Sequence, residues 1–457
     1  MRLKEIMGHP CGFGEVFSML EIQSAYARAC LLEEEMMADT ASLLACHRDL
    51  RASVEAVRLQ ENRSAIDYLL LKLQSLKDIR TTLSRLGSGE TLDDIELYEV
   101  KFLGMLSMEV REQLAMLQLS AIADVPDLEW EVNLLDPDGL RIATFCVYDS
   151  YSEELARCRA ESRRCEKPDE ELFLKINALE TSIRERLSSE LRSSASRLYD
   201  AQQALARTDI LLAKARQLLS GGWCIPEISE DTETVFRGLF HPEVKAVLAS
   251  AGKDYQPVDI AFDLRPTLIV GANMGGKTVV LKAVALCQFL CQFGFGVPAA
   301  HARIALMDEI RFCIGDHQSV TEGLSSFAAE IRQMDSLLAA ARHGGRLLAL
   351  LDEPARTTNP VEGTALVSGL LDVLRPLPVC LLVATHYAIP SAYVDRCLKV
   401  KGLDSDGRMD YTLEEVKEGM VPLEALRVAR QLGIDMEWIR AAEAYLSSHP
   451  AIFSKTR

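Results

Sequence analysis

Basic charge is in short supply in this sequence. Its 50 Lys and Arg residues are outnumbered by 67 Asp and Glu, a formal charge of −17 over 457 residues. A dedicated nucleic-acid binder shows a basic face, and an acidic whole weakens that class while leaving room for a local patch. No uncharged apolar run reaches 18 residues, which argues against a helical membrane span. Met1 to Gly14 lacks the basic stretch and apolar core of a secretory leader, so the cytoplasm is the expected compartment. The 12 cysteines form no CxxC pair and no Cys/His cluster at zinc spacing. Cys30, Cys46, Cys287 and Cys380 lie in apolar stretches, and Cys287 and Cys291 share a helix face with no second ligand pair, so buried free thiols are expected. Neither internal repeat nor low-complexity tract is present. What remains is an ordinary globular balance, 48% hydrophobic and 26% charged, in a chain long enough for two to four domains.

From Val16 to Gln118 proline is absent, Ala, Leu, Glu and Met dominate, and apolar residues recur at three and four steps. This predicts helix almost throughout, broken at Gly87-Ser-Gly89 and restarted behind Thr91 as a capping residue. Asp136-Pro-Asp-Gly139 is a turn signal, and Leu140 to Tyr148 then reads as a strand. Helical pattern resumes from Pro168 to Leu219. Leu191, Leu198, Leu205 and Leu212 fall at seven-residue steps, with Ile176, Leu179 and Ile183 upstream. One helix of about 50 residues would be about 75 Å long; packing alone explains its stripe, and a lever that transmits motion is the functional alternative. After Gly221-Gly222 the pattern changes. Thr267–Val270, Leu347–Leu351 and Val379–Ala384 read as buried strands between helices, a parallel sheet covered on both faces. From Pro422 to Leu446 two short helices are expected around Leu432-Gly-Ile434, a helix-turn-helix pattern.

Three segments carry chemistry. Gly271-Ala-Asn-Met-Gly-Gly-Lys-Thr278 fits the phosphate-loop spacing, with a strand before and a helix after it. Its glycines turn backbone N–H groups toward phosphate oxygens at a helix N-terminus. Lys277 reaches the β- and γ-phosphates and the Thr278 hydroxyl ligates Mg²⁺. Gly271, Ala272, Asn273, Met274, Gly275, Gly276, Lys277 and Thr278 are therefore the expected nucleotide cradle. Leu347-Leu-Ala-Leu-Leu-Asp352-Glu353 ends an apolar strand in two carboxylates, Asp352 for the metal and Glu353 to orient the attacking water. Ala384-Thr-His386-Tyr387 closes another strand; there His386 senses the γ-phosphate or polarises the water.

In order and spacing these segments resemble the ATPase domain of the MutS family. Phe295-Gly-Val-Pro-Ala299 resembles its segment after the first helix, and His241-Pro242 its entry. Gly323-Leu-Ser-Ser-Phe327 resembles its signature loop, which implies that Ser325 reaches the nucleotide of a partner subunit. Tyr255-Gln-Pro-Val-Asp259 resembles the segment whose aromatic stacks on adenine, and Asn273 matches the family's phosphate-loop asparagine. The resemblance implies an all-helical core and lever region, an ABC-type parallel-sheet ATPase domain and a dimerising helix-turn-helix tail: a multidomain α plus α/β chain. The expected domains are a core over 1–126, a reduced clamp and lever helix over 127–235, the ATPase domain over 236–405 and the tail over 406–457. Relative to the family, the mismatch-sensing domain and its connector are expected to be missing and the clamp reduced to around Asp127–Lys167. Lys277-Thr-Val-Val-Leu-Lys282 and Asn359-Pro-Val-Glu-Gly363 look more like the second bacterial MutS branch, without that branch's nuclease domain. Asp352-Glu-Pro-Ala-Arg-Thr-Thr358 replaces the usual glycine-rich continuation with a stiff proline beside Glu353.

The resemblance implies ATP and Mg²⁺ as cofactors and a homodimer in which each ATP is capped by the other chain's Ser325. Two clients follow. One is DNA in a mismatch-repair-related clamp. The other is a protein: short MutS-like ATPases resembling this chain are associated with reactivation of the cobalamin-dependent lysine 5,6-aminomutase. Acidic charge and the reduced clamp fit the second, family membership the first, and the shared engine does not decide.

Overall fold

The computed structural model describes residues 1–164, 169–271, 276–314, 326–403, 408–416 and 435–448. Contacts divide the chain into two units. One comprises Met1–Met19, Glu35–His47 and Ser220–Arg457, the other Leu20–Glu34 and Arg48–Leu219. The expected linear order is therefore nested: two N-terminal segments belong to the unit that carries the C-terminal half.

The second unit is helical. Its longest early helix, Asp94–Met116, begins at a capping box in which the Asp93 carboxylate accepts from Ile95 N and Glu96 N, and Glu96 accepts from Asp93 N. The cap is thus Asp93 rather than Thr91, because its carboxylate satisfies two orphan amides at once. The expected strand over Leu140–Tyr148 does not form. Arg141 adopts φ 50, and Thr144 N donates back to Ile142 O at 2.8 Å. The segment is fixed instead by buried Lys101, whose ammonium donates to Asp136 Oδ1 at 3.0 Å, Tyr148 Oη at 3.0 Å and Thr144 O at 3.1 Å. All three donors are used, which makes a buried ammonium tenable.

The expected 50-residue helix is two helices, Glu170–Leu191 and Ala195–Gly221, joined by a 3₁₀ turn at Arg192–Ser194. Leu191, Leu198, Leu205 and Leu212 are all fully buried, so the seven-residue stripe is core. Near the start of Glu170–Leu191, by contrast, Phe173 and Leu174 are exposed.

Among the described residues the other unit holds ten strands: β1 (Glu227–Ile228), β2 (Thr234–Leu239), β3 (Val258–Phe262), β4 (Thr267–Val270), β5 (His301–Ile304), β6 (Glu309–Ile314), β7 (Leu347–Asp352), β8 (Val379–Thr385), β9 (Arg396–Leu403) and β10 (Met409–Val416). A small sheet runs β1-β5-β2-β3 and a larger one β10-β9-β4-β8-β7-β6. In the larger sheet all pairs are parallel except β10 with β9. Every residue of β4, β7 and β8 is buried, as continuous apolar strands in a doubly covered sheet require. Leu268, Val270, Leu347, Ala349, Leu351, Leu381 and Val383 form one face of a core with Leu337 of the helix Ser326–His343 and Val367 and Leu371 of Pro360–Leu374. The helix Lys277–Gln292 packs against β7 and β8 and buries thirteen of its residues.

The N-terminal segment is built into this unit. Phe13 meets Phe293 and Phe295 edge-on at 6.1 Å between ring centres. His9 stacks on Phe312 at 5.6 Å, and the His241 ring bonds Cys11 O at 3.0 Å. Cys287 and Cys380 are buried thiols, whereas Cys30 and Cys46 are half-buried.

Candidate nucleotide site

Sheet register assembles the site. Val270 pairs with Thr385, and Asp352 pairs with Ala384, so β4, β7 and β8 end side by side. Their next residues are Gly271, Glu353 and His386, at the carboxyl edge where parallel sheets place ligands. The glycines that flank the loop have a steric reason. Gly271 sits at φ 156, where a Cβ would lie 2.9 Å from Val400 Cβ; Gly276 sits at φ 69, where a Cβ would meet the Tyr411 ring at 3.2 Å. Ala272, Asn273, Met274, Gly275 and Ser325 lie outside the described residues, as does most of the expected helix-turn-helix, of which Met436–Ser448 is described as helix.

Lys277 and Thr278 open their helix beside the two carboxylates. Thr278 Oγ1 donates to Asp352 Oδ2 at 2.7 Å. Lys277 Nζ donates to Gly271 O at 2.8 Å and lies 3.9 Å from Glu353 Oε1. His386 Nδ1 lies 3.9 Å from Glu353 Oε2. Glu353 is thus flanked by a cationic and an imidazole side chain. Burial pulls the Lys277 ammonium below its ordinary range, with Glu353 and Asp352 opposing. Burial pushes the Asp352 carboxyl up, with the Thr278 hydroxyl opposing. A desolvated carboxylate of this kind gains most from a cation.

Glu353 itself is strained: its φ is 49, and Ala355 follows at φ 60. The left-handed region costs a side chain about 1–2 kcal/mol per residue and is held open where surrounding bonds over-determine it. Those bonds are present. Glu353 N donates to Ala384 O at 2.7 Å, Tyr387 Oη donates to Ala355 O at 2.7 Å, and Ala355 N donates to Glu330 Oε1 at 2.6 Å. Sequence reading missed Glu330: an acidic residue near a helix N-terminus is commonplace and carries no mark of a long-range bond.

Tyr255 takes a different company. Its hydroxyl accepts from His241 N at 3.2 Å and its half-buried ring meets Phe240 edge-on. The neighbouring Gln256 bonds Tyr411 N and Asp410 on β10, which ties this segment to the strand that touches Gly276.

Asp352 also supplies the test of a metal. Among the described residues Oδ1 is buried with no hydrogen-bond partner, while Oδ2 takes the Thr278 hydroxyl. An all-oxygen pair of this kind fits Mg²⁺. Among the described residues no group of three His, Cys, Asp or Glu is placed to hold an ion, so phosphate oxygens and water would have to complete its shell.

The fold and its charged edge define the class: a doubly covered parallel α/β domain with a lysine, a hydroxyl and two carboxylates gathered at its strand ends. Comparison with known proteins gives a likeness. Residues 267–447 match the family model described as MutS domain V, a domain of ATPase type. An endonuclease MutS2 of Caldanaerobacter subterraneus subsp. tengcongensis is 28% identical over 277 residues, 58% of this chain and 34% of that protein. A DNA mismatch repair protein MutS of Azorhizobium caulinodans is 30% identical over 283 residues, 59% of this chain and 30% of that protein. A DNA mismatch repair protein msh3 of Botryotinia fuckeliana is 35% identical over 205 residues, 44% of this chain and 18% of that protein. The chain therefore spans about a third or less of the curated relatives it matches. No helix among the described residues is long and apolar enough to cross a membrane.

Proposed function

We propose that this chain binds ATP with Mg²⁺ and hydrolyses it at the ends of β4, β7 and β8, and that two copies work together as a switch. One observation carries the reading: the register that puts Lys277, Thr278, Asp352, Glu353 and His386 together, with the Thr278 hydroxyl on Asp352 and Glu353 between Lys277 and His386. In this reading Lys277 exchanges the Gly271 carbonyl for phosphate oxygens and offsets their charge. Thr278 and Asp352 hold the ion, which supplies charge compensation at the phosphates. Glu353 orients the water for in-line attack, with His386 placed to hold it from the other side. Tyr255 supports the base, and Ser325 of a second copy caps the nucleotide.

The client named first is DNA, because the relatives are named for mismatch repair and endonuclease function, and the cytoplasm is the matching compartment. A second reading, remodelling of a protein such as a cobalamin-dependent aminomutase, is favoured by one feature of the helical unit. Between Glu90 and Gly139 thirteen acidic residues face two basic ones, Lys101 and Arg111. Lys101 is buried on Asp136, and Arg111 pairs with Asp127 at 2.5 Å, so neither stands ready for a phosphate backbone. Steady-state ATPase rates with and without duplex, mismatched and branched DNA at two salt concentrations separate the two. Stimulation that fades with salt supports the DNA client. An unchanged rate with no DNA bound at low salt supports the protein client. No turnover at all under Mg²⁺ sinks the ATPase reading.

A further inference from the structure

The turn that carries Glu353 holds two side-chain-bearing residues in the left-handed region, Glu353 and Ala355, on either side of Pro354. Two of the bonds that keep it there come from β8 and the residues after it: Ala384 O accepts from Glu353 N, and Tyr387 Oη donates to Ala355 O. The third comes from a different element. Glu330, in the first turns of the helix Ser326–His343, uses both carboxylate oxygens on the turn. Oε1 accepts Ala355 N at 2.6 Å and Oε2 accepts the Thr357 hydroxyl at 3.2 Å. Hydrogen bonds to a carboxylate are roughly twice as strong as neutral ones, so Glu330 is the firmest of the three attachments.

We propose that Glu330 is the positioning residue for Glu353: it fixes the strained turn from the helix Ser326–His343, and the aim of the Glu353 carboxylate between Lys277 and His386 depends on that attachment. The role rests on the ATPase reading above and adds to it the element through which hydrolysis is governed. Without Glu330 the bonds from Glu353 N to Ala384 O and from Tyr387 Oη to Ala355 O remain, but Ala355 N loses its acceptor, and the chain beyond Pro354 relaxes toward the right-handed region and rotates the carboxylate. Nucleotide binding rests on Lys277, Thr278 and Asp352, whose bonds described above go to Gly271, Glu353 and each other rather than to Glu330. Loss of the attachment therefore lowers turnover and spares affinity. A displacement of the helix that supplies Glu330 therefore acts on the turn that carries Glu353.

The test measures kcat, KM and the affinity for a fluorescent ATP analogue in the full chain for wild type, Glu330→Ala, Glu330→Gln and Thr357→Val, with Lys277→Ala alongside. Misplacement of a catalytic group by about 1 Å costs up to about 100-fold. Glu330→Ala is thus expected to lose about 10- to 100-fold in kcat with KM and analogue affinity within about 2-fold. Glu330→Gln keeps an acceptor for Ala355 N and recovers most of the rate; a purely structural carboxylate would show no such rescue pattern confined to kcat. Thr357→Val removes one of the two bonds and is expected to lose a smaller factor in kcat, again at constant KM, which serves if Glu330→Ala does not fold. Wild-type kcat in Glu330→Ala or in Thr357→Val, or a loss that appears equally in nucleotide affinity, overturns the positioning role while leaving the ATPase reading intact. Wild-type turnover that Lys277→Ala does not abolish overturns the ATPase reading, and this role with it.

Discussion

Asp352 is the residue whose substitution should change sign with its ligand. Its Oδ1 is buried without a partner among the described residues, its Oδ2 accepts the Thr278 hydroxyl, and burial raises its affinity for a proton. In the nucleotide-free protein this carboxylate is a liability: a buried charged group short of a partner costs about 1–3 kcal/mol or more. Asp352→Asn removes the charge and keeps an oxygen for the Thr278 hydroxyl, while its amide inherits an unpaired position. The net relief is expected to be about 1 kcal/mol, or about 2–4 °C in melting midpoint for a unit of this size. With Mg²⁺ and a non-hydrolysable ATP analogue the order inverts. A ligand at a hundredfold excess over its Kd stabilises the protein by about 2.7 kcal/mol; the wild type gains that, and the variant, lacking the metal's carboxylate, gains little. Thermal melts of both proteins, without ligand, with Mg²⁺ alone and with both, read the crossing directly. An Asp352→Asn protein that melts below wild type without ligand refutes the reading of Oδ1 as an uncompensated acceptor. A variant that keeps the Mg²⁺-dependent part of the shift removes Asp352 from the metal site.

Lys277→Ala is expected to abolish ATP hydrolysis in a steady-state assay; near-normal turnover would remove it from the site. In the helical unit, Lys101→Met strips the buried ammonium from buried Asp136 and is expected to cost about 3–5 kcal/mol by urea unfolding; adding Asp136→Leu should return part of that, and a double variant no better than the single one would refute the charge argument. Burial holds the His9 and His241 rings below their ordinary pKa, so the unfolded chain binds more protons as pH falls below about 6.5 and stability rises with pH from 5 to 7. The urea midpoint of the nucleotide unit should climb over that window, and His241→Gln should flatten the slope; an unchanged slope would show that the ring is protonated in the fold.

How much of this was visible in the amino-acid order follows from the range of the forces involved. The strands β4, β7 and β8 begin where their apolar runs begin, because a strand buried on both faces admits little else. The motif residues follow at their carboxyl ends for the same reason. Leu191, Leu198, Leu205 and Leu212 were legible as a stripe and are core. The break at Arg192–Ser194 was not legible, since no proline or glycine marks it. Leu140–Tyr148 has strand composition but no ladder neighbour among the described residues, and its Thr144 carbonyl and Tyr148 hydroxyl go to Lys101, 43 and 47 residues away. Tyr255 was read for an aromatic face, while the fold also uses its hydroxyl to hold His241. Glu330 lies beyond local signals because its bond to Ala355 spans 25 residues and depends on two helices and a sheet already being in place.

The nesting of the chain has a practical consequence for anyone who wishes to cut it. A fragment beginning at Ser220 carries every phosphate-binding motif, yet it omits Phe13 from beside Phe293 and Phe295, His9 from Phe312 and the Cys11 carbonyl from His241. The nucleotide unit is a discontinuous piece of polypeptide, stitched from three stretches, and no single cleavage liberates it whole. Supplying residues 1–19 and 35–47 as separate peptides, or linking both ahead of Ser220 through short Gly/Ser bridges in place of the helical segments, is the way to ask whether this unit stands by itself.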